Sequence, residues 1–370
     1  LPEGERYNFR FRDYSGMDEA PVTITSADAG NRAVILKGDL HNVSNLTIDS
    51  VDVVFESTDS DAIGTRRHDG DHALKIRDSE SFTLRNVEAR SDASGPALFD
   101  GGRAANFMEV RRSDGATVEN VTIENFTFGM SFGHSSQIRV ENVEMSGMQS
   151  DHLRLYGVQD AIVKDNYFHN PFGSPHDWSH DDFIQIWGGN IWQNNERILI
   201  EGNVLHAGTG SNPQGIHIRN EGLKENGFIF EDIVIRDNVI FTGAGNQINV
   251  QNTTGTVIEN NTAIRNHSAQ AVLNDGTYGD GSDGWIRIQS SENFAIRNNV
   301  AEKINNLDGE TASGNVILTD HARELDSDLS RHFVNIEAMG SGDLRDLMLR
   351  ADSPLNGTAG ASRLWYGDEA

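Results

Sequence analysis

One phrase recurs along the chain: an apolar alternation that ends in an acid, amide or Gly and then in Asn. It reads FTLRNV at 82–87, ATVENV at 116–121, IRVENV at 138–143, AIVKDN at 161–166, ILIEGN at 198–203, IVIRDN at 233–238, TVIENN at 256–261 and FAIRNN at 294–299, with LTIDS at 46–50 as a first, shortened copy. The third residues, Ile48, Leu84, Val118, Val140, Val163, Ile200, Ile235, Ile258 and Ile296, are separated by 36, 34, 22, 23, 37, 35, 23 and 38 residues. The short steps set a unit of 22–23 residues, and the long steps are that unit plus an insertion. Alternation marks a strand with one buried face. Asn suits a stacked coil, because it tolerates the left-handed bend and its amide can bond the equivalent Asn one coil away.

The pattern predicts an all-β chain: a right-handed parallel β-helix of nine or more coils, stacked about 4.8 Å apart. Leucine-rich repeats have a similar period, but their Leu-rich consensus is missing. A single domain over 1–370 is expected, with 1–40 as an N-terminal cap and first coils, 41–304 as regular coils and 305–370 as a closing segment. Within the last, LRDLMLRADSPLNG at 344–357 suggests a short helix. Caps are needed because a bare terminal coil would expose strand edges and core.

Charge narrows the function. The chain holds 30 Lys and Arg against 56 Asp and Glu, a net charge of −26, with no Cys. This argues against nucleic acid as a partner and against disulfide stapling. No run of about 20 apolar residues exists to insert in a membrane. An acidic, Cys-free surface is common among secreted bacterial proteins, so an extracellular location is expected. The chain opens at Leu1-Pro2 without an initiator Met or a signal peptide, which reads as trimming.

A second strand column accompanies the Asn phrase: ALKIRD (73–78), FMEVRR (107–112), GMSFGH (129–134), DHLRLYG (151–157), DDFIQIWG (181–188), GIHIRN (215–220), QINVQN (247–252) and WIRIQS (285–290). A strict period of two turns Lys75, Arg77, Glu109, Arg111, Ser131, Gly133, His152, Arg154, Tyr156, Asp181, Phe183, Gln185, Trp187, His217, Arg219, Asn249, Gln251, Arg287 and Gln289 outward. Six of these are Lys or Arg and two are acidic, the reverse of the chain's balance. Solvated strands are polar too, but this reversal points to a groove for an anionic linear polysaccharide. Arg forks would hold carboxylates, and Tyr156, Phe183 or Trp187 would stack on sugar rings.

Three successive coils are densest. They carry Asp151, His152, Arg154 and Tyr156; then His176, Trp178, His180, Asp181, Asp182, Gln185 and Trp187; then Gln214, His217 and Arg219. The insertion NPFGSPHDWSH at 170–180 is expected to wall the groove. β-Elimination at a uronate needs a cation on the carboxylate and a base for the C5 proton. Arg154, Arg219 and Arg287 fit the first role, and His217, His152 or Tyr156 the second. Hydrolysis instead needs two carboxyl groups, which Asp151, Asp181 and Asp182 could supply. A lyase is expected, with a glycoside hydrolase as the alternative and a non-catalytic tailspike or adhesin as a third reading. Lys75, Arg111, Tyr156, Gln185, Trp187, Asn249 and Arg287, with His152, Trp178 and His180, are the expected substrate contacts.

The Asn-ended repeats and alternating column resemble the right-handed β-helix proteins of the pectate-lyase-like superfamily. HDDFIQIWGG at 180–189, NPQGIHIRNEG at 212–222 and EDIVIRDNVIFTG at 231–243 are similar to exopolysaccharide-degrading lyases and glycanases of bacteria. PVTITSADAGNRAVILKG at 21–38 is similar to the first coils of alginate and chondroitin lyases. The resemblance implies a secreted polysaccharide-degrading β-helix. Asp151 in SDHLRL and Asp181 and Asp182 in DDFIQI also match the aspartates of polygalacturonases. Gln214 stands where those have His, and Arg287-Ile288-Gln289 replaces their Arg-Ile-Lys, which argues against pectin hydrolysis. No Lys stands where the alginate lyases would want a base, and no DPH-type motif of the mannuronan epimerases is found.

No cofactor is required by this chemistry. Ca²⁺ is the one metal suggested, through Asp280 and Asp283 in the Asp/Gly-rich NDGTYGDGSDG at 274–284, although Asp and Gly also serve plain turns. RRHDGDH at 66–72 is a similar turn. His176, His180 and His206 have spacings that fit no closed zinc site. A monomer is expected.

Overall fold

The computed structural model describes residues 1–2, 4–17, 20–56, 71–92, 105–172, 181–188, 193–208, 213–220, 228–266, 284–305, 312–318, 332–333 and 349–353. These form a right-handed parallel β-helix. Every pairing between its strands is parallel, and each strand pairs with its counterpart one coil away. Three columns of strands build three faces. The long strands Val34–Asp49, Glu80–Ser91 and Ser136–Ser146 bend from one face to the next, and so link all three.

The repeat markers stack as spaced in sequence. Ile48 pairs Leu84, Leu84 pairs Val118, and the row continues through Val140, Val163, Ile200, Ile235 and Ile258 to Ile296. All nine are fully buried. They belong to one apolar core that runs from Ile35 to Ile304.

From Asn166 onward the two tasks assigned to Asn fall to neighbouring residues. Left-handed φ belongs to the first residue of each corner, as at Asp165, Gly202, Asp237, Asn260 and Asn298, with φ between 52° and 68°. The Asn that follows turns inward and forms a ladder. The Nδ2 of Asn166 donates to Oδ1 of Asn203 at 2.8 Å, and the chain continues through Asn238, Asn261, Asn299 and Asn315 at 2.9 to 3.1 Å. Earlier coils carry Val at that place (Val87, Val121, Val143), and there the left-handed Asn86, Asn120 and Asn142 bond one another on the outside. The switch falls between coils, where Asn166 Oδ1 accepts the Val143 amide at 2.9 Å.

Residues 6–15 pair in parallel with 34–44, so the segment read as an N-terminal cap and first coils contains a strand of the helix. Coil pairing also passes residue 304, since Ala312–Ser313 and Val316–Ile317 pair with the coil before. Leu349 and Phe333 form an antiparallel bridge and a small separate core with Val239, Phe241, Ile264, Val300 and Leu318. Most of the segment read as a short helix, 344–348 and 354–357, lies outside the described residues. Among the described residues no helix is long and apolar enough to cross a membrane.

Three imidazoles are held neutral by their surroundings. His152 lies between the rings of Phe168 and Phe183, at 5.8 and 4.6 Å. Burial first, and then the charge of His169, hold its pKa well below the usual 6.5. Burial beside Arg111 and Arg112 pushes His134 down to about 4, and burial lowers His169. Below about pH 6.5 the unfolded chain takes up protons that these folded imidazoles refuse, at up to about 1.4 kcal/mol per pH unit for each group. Urea midpoints should therefore fall as pH drops from 7.5 towards 5, and His152→Leu should fall less steeply. A wild-type midpoint that rises on acidification would contradict this account.

Candidate active site

The second column forms the face predicted to carry chemistry. Its outward residues fall into two rows along the helix axis. One runs Lys75, Glu109, Ser131, Arg154, Gln185, His217, Asn249 and Arg287, each paired with the next. Beside it run Arg77, Arg111, Gly133 and Tyr156, followed by Trp187, Arg219, Gln251 and Gln289.

Strict alternation fails at the head of these strands. His152 and Phe183, predicted outward, have no exposed surface, and Leu153 and Ile184 after them are also fully buried. Two consecutive inward residues act as a bulge, which returns the residue before them to the outer face. Contacts three residues apart, impossible in a flat strand, demonstrate it. Arg154 Nε lies 3.6 Å from Asp151 Oδ2, Gln185 Nε2 donates to Asp182 Oδ2 at 2.9 Å, and His217 Nδ1 lies 3.0 Å from Gln214 Oε1. A third row, Asp151, Asp182, Gln214 and Asn246, thereby joins the site. The His152 imidazole is packed against the buried Phe168 and Phe183 rings on the core side of its strand and so is not turned to the groove as a substrate contact. Among the predicted bases it is also unreachable.

The cationic face is partly neutralised. Arg77 pairs with Glu109 at 3.4 Å, and Arg154 with Asp151. The Arg154 guanidinium also lies 4.8 Å from the Phe128 ring and 5.7 Å from the Trp187 ring. Asp151 Oδ1 accepts the amide of Asp182 at 2.9 Å, so the two carboxyl groups stand on adjacent coils, 6% and 0% exposed. Asp181 contributes its carbonyl to the Gln214 amide.

Tyr156 and Trp187 pack with ring centres 5.7 Å apart, and Tyr156 meets His134 edge-on at 5.4 Å. The Tyr156 ring lies over Gly133, where a Cβ would come within 2.1 Å of it. Burial and the nearby Glu109 raise the Tyr156 pKa, which disfavours the phenolate and counts against Tyr156 as a base.

Among the described residues, buried donors on this face without a hydrogen-bond acceptor include Arg154 Nε, Trp187 Nε1 and Arg287 Nε. Arg219 is exposed, while His217 and Asn249 are recessed at 5% and 2% exposure. Sequence reasoning turns the members of the first row outward by their period of two. It gave no role to Asn246 or Trp285, which reach His217 through Gln214. A repeating tetrad with polar first and last residues and an apolar third (DHLR, DFIQ, QGIH, NQIN) was the available signal. Trp178, His180 and His176 lie outside the described residues, as do Asp280 and Asp283, so the insertion's wall and the Ca²⁺ candidates have no described geometry.

Residues 32–174 match a family model described as the right handed beta helix region. No curated protein sequence matches the chain. Among solved structures, the chain is similar to the GH136 lacto-N-biosidase of Eubacterium ramulus at 11% identity and a TM-score of 0.45, over 80% of this chain and 61% of that one. It is similar to the A-module of the Azotobacter vinelandii mannuronan C-5 epimerase AlgE6 at 12% identity and a TM-score of 0.45, over 87% and 90%. It also resembles PfbA, a surface adhesin of Streptococcus pneumoniae, at 12% identity and 0.46, over 88% and 86%. The chain thus spans less than two thirds of the biosidase.

Proposed function

We propose that this chain depolymerises a uronate-bearing polysaccharide outside the cytoplasm by β-elimination, with His217 as the base and Arg219 on the carboxylate of the reacting sugar. The reading is carried by the row Arg154, Gln185, His217, Asn249 and Arg287, a base centred between two cations on a face whose unanswered buried donors call for acceptor oxygens. An orphaned buried donor costs about 1–3 kcal/mol, which a ligand oxygen would recover. Coil spacing puts Arg154 and Arg287 each about 10 Å from His217 along the axis. They therefore serve neighbouring sugars, and Arg219, two residues from His217 on the same strand, serves the reacting one.

In the reaction His217 takes the C5 proton while Arg219 stabilises the charge that develops on the carboxylate. The C5–H electrons form the C4=C5 bond, the C4–O bond breaks, and the departing oxygen takes a proton from water. Tyr156 and Trp187 provide apolar ring surface beside the path.

One observation favours a second reading. Asp151 and Asp182 stand on adjacent coils, and the general coil spacing of about 4.8 Å is near the roughly 5–5.5 Å between the carboxyl groups of retaining glycoside hydrolases. Incubating the full chain with alginate, pectate, glucuronan and hyaluronan separates the two. Elimination gives shortened chains whose unsaturated uronate ends absorb in the ultraviolet. Reducing ends without that absorbance would transfer the role to the carboxylates, and saturable binding with unchanged chain length would leave only a binding protein.

A further inference from the structure

We infer that Trp285 and Asn246 are positioning residues that lock His217 in the tautomer with its proton on Nδ1, leaving the Nε2 lone pair as the proton acceptor. The inference deepens the proposed function and rests on it for its catalytic meaning. Its structural content stands apart from any activity.

The argument starts from a group with only one option. An indole N–H can donate and cannot accept. Trp285 Nε1 lies 2.6 Å from Asn246, so Asn246 must present Oδ1 there, and its Nδ2 then faces Gln214 at 2.7 Å. An amide nitrogen is a donor, which obliges Gln214 to present Oε1. That same oxygen lies 3.0 Å from His217 Nδ1. Were Nδ1 unprotonated, two lone pairs would meet in a buried place, so Nδ1 carries the hydrogen.

Asn249 supplies the competing contact, with its amide 3.2 Å from the same Nδ1. Which end of an Asn amide is oxygen is settled by its hydrogen-bond network. Turning Asn249 over gives Nδ1–H a second acceptor, and Gln251, whose Nε2 donates to Asn249 Oδ1 at 3.4 Å in the present orientation, turns with it to present its Oε1 to the new N–H. Turning Gln214 over instead would set its Nε2 against the Asn246 Nδ2. The conflict is therefore relieved at Asn249, and the order of donors from Trp285 to His217 is kept.

The test is the tautomer itself, read from two-bond ¹H–¹⁵N correlations of imidazole-labelled protein, with His217→Ala for assignment. The wild type should show the proton on Nδ1. Asn246→Asp should invert it: the new carboxylate can accept from Trp285 but has nothing to donate, so Gln214 turns its Nε2 to both neighbours and His217 must carry its proton on Nε2. Gln214→Glu, which still accepts from both sides, should keep the wild-type tautomer. On a polymer that the wild type cleaves, Asn246→Asp should lower kcat by about tenfold or more with little change in KM. Trp285→Phe, which removes the anchor, should give a mixture of tautomers and serves if Asn246→Asp does not fold. A wild-type His217 protonated on Nε2, or an unchanged tautomer in folded Asn246→Asp, would overturn the lock. An intact lock with no eliminated product from any polymer would sink the proposed lyase instead.

Discussion

His217→Ala is expected to lower turnover by about 10²–10⁴-fold while changing affinity for the polymer little, because proton abstraction contributes in the transition state and the cations that hold the chain remain. Arg219→Ala should raise KM as well as lower kcat, since a carboxylate clamp acts before and during the reaction. The variant that separates the mechanisms is Asp182→Asn. The amide can still accept from Gln185, which now donates to Asp182 Oδ2 at 2.9 Å, so the coil is expected to fold. A lyase using His217 should retain most of its rate. A hydrolase using the Asp151 and Asp182 pair should be nearly dead. Steady-state kinetics on a cleaved uronate polymer, with thermal unfolding to verify folding, decide between them, and normal turnover by His217→Ala would end the assignment of the base.

The residues that sequence reasoning read well were those obeying a single period. Ile48 to Ile296 line one row because each coil must bury the same position, and insertions between coils do not disturb it. The first site row was legible for the same reason. His152 and Phe183 were misplaced because a bulge breaks the period of two, and each coil repeats that bulge. The Trp285, Asn246 and Gln214 relay was hidden more deeply, since it joins residues 39 and 32 positions apart whose relation exists only through coil stacking. Charge was the least transferable signal. Counting charges on the face could not show which of them pair, and Glu109 and Asp151 already engage Arg77 and Arg154.

The same stacking makes the inner Asn ladder the place where one substitution should cost the fold most. Asn238 uses both ends of its amide. Its Oδ1 accepts the Asn203 backbone amide and the Asn203 Nδ2, both at 2.9 Å. Its Nδ2 donates to the Ile200 carbonyl at 2.9 Å and to Asn261 Oδ1 at 3.0 Å. All of these groups are buried, and water cannot replace the partner. Asn238→Ala strands the Asn203 amide and the Ile200 carbonyl and leaves the Asn203 side chain with one bond fewer. At about 1–3 kcal/mol for each stranded group the expected loss is about 3–5 kcal/mol. Asn142, in the outer ladder, is the control. It is exposed and bonds only Asn120 there at 2.6 Å. Replacing it by Ala costs mainly the left-handed backbone at φ 52°, about 1–2 kcal/mol. Denaturant unfolding of the two variants should therefore differ by at least about 1–2 kcal/mol. Equal losses would mean that the buried ladder follows the corner geometry without stabilising it.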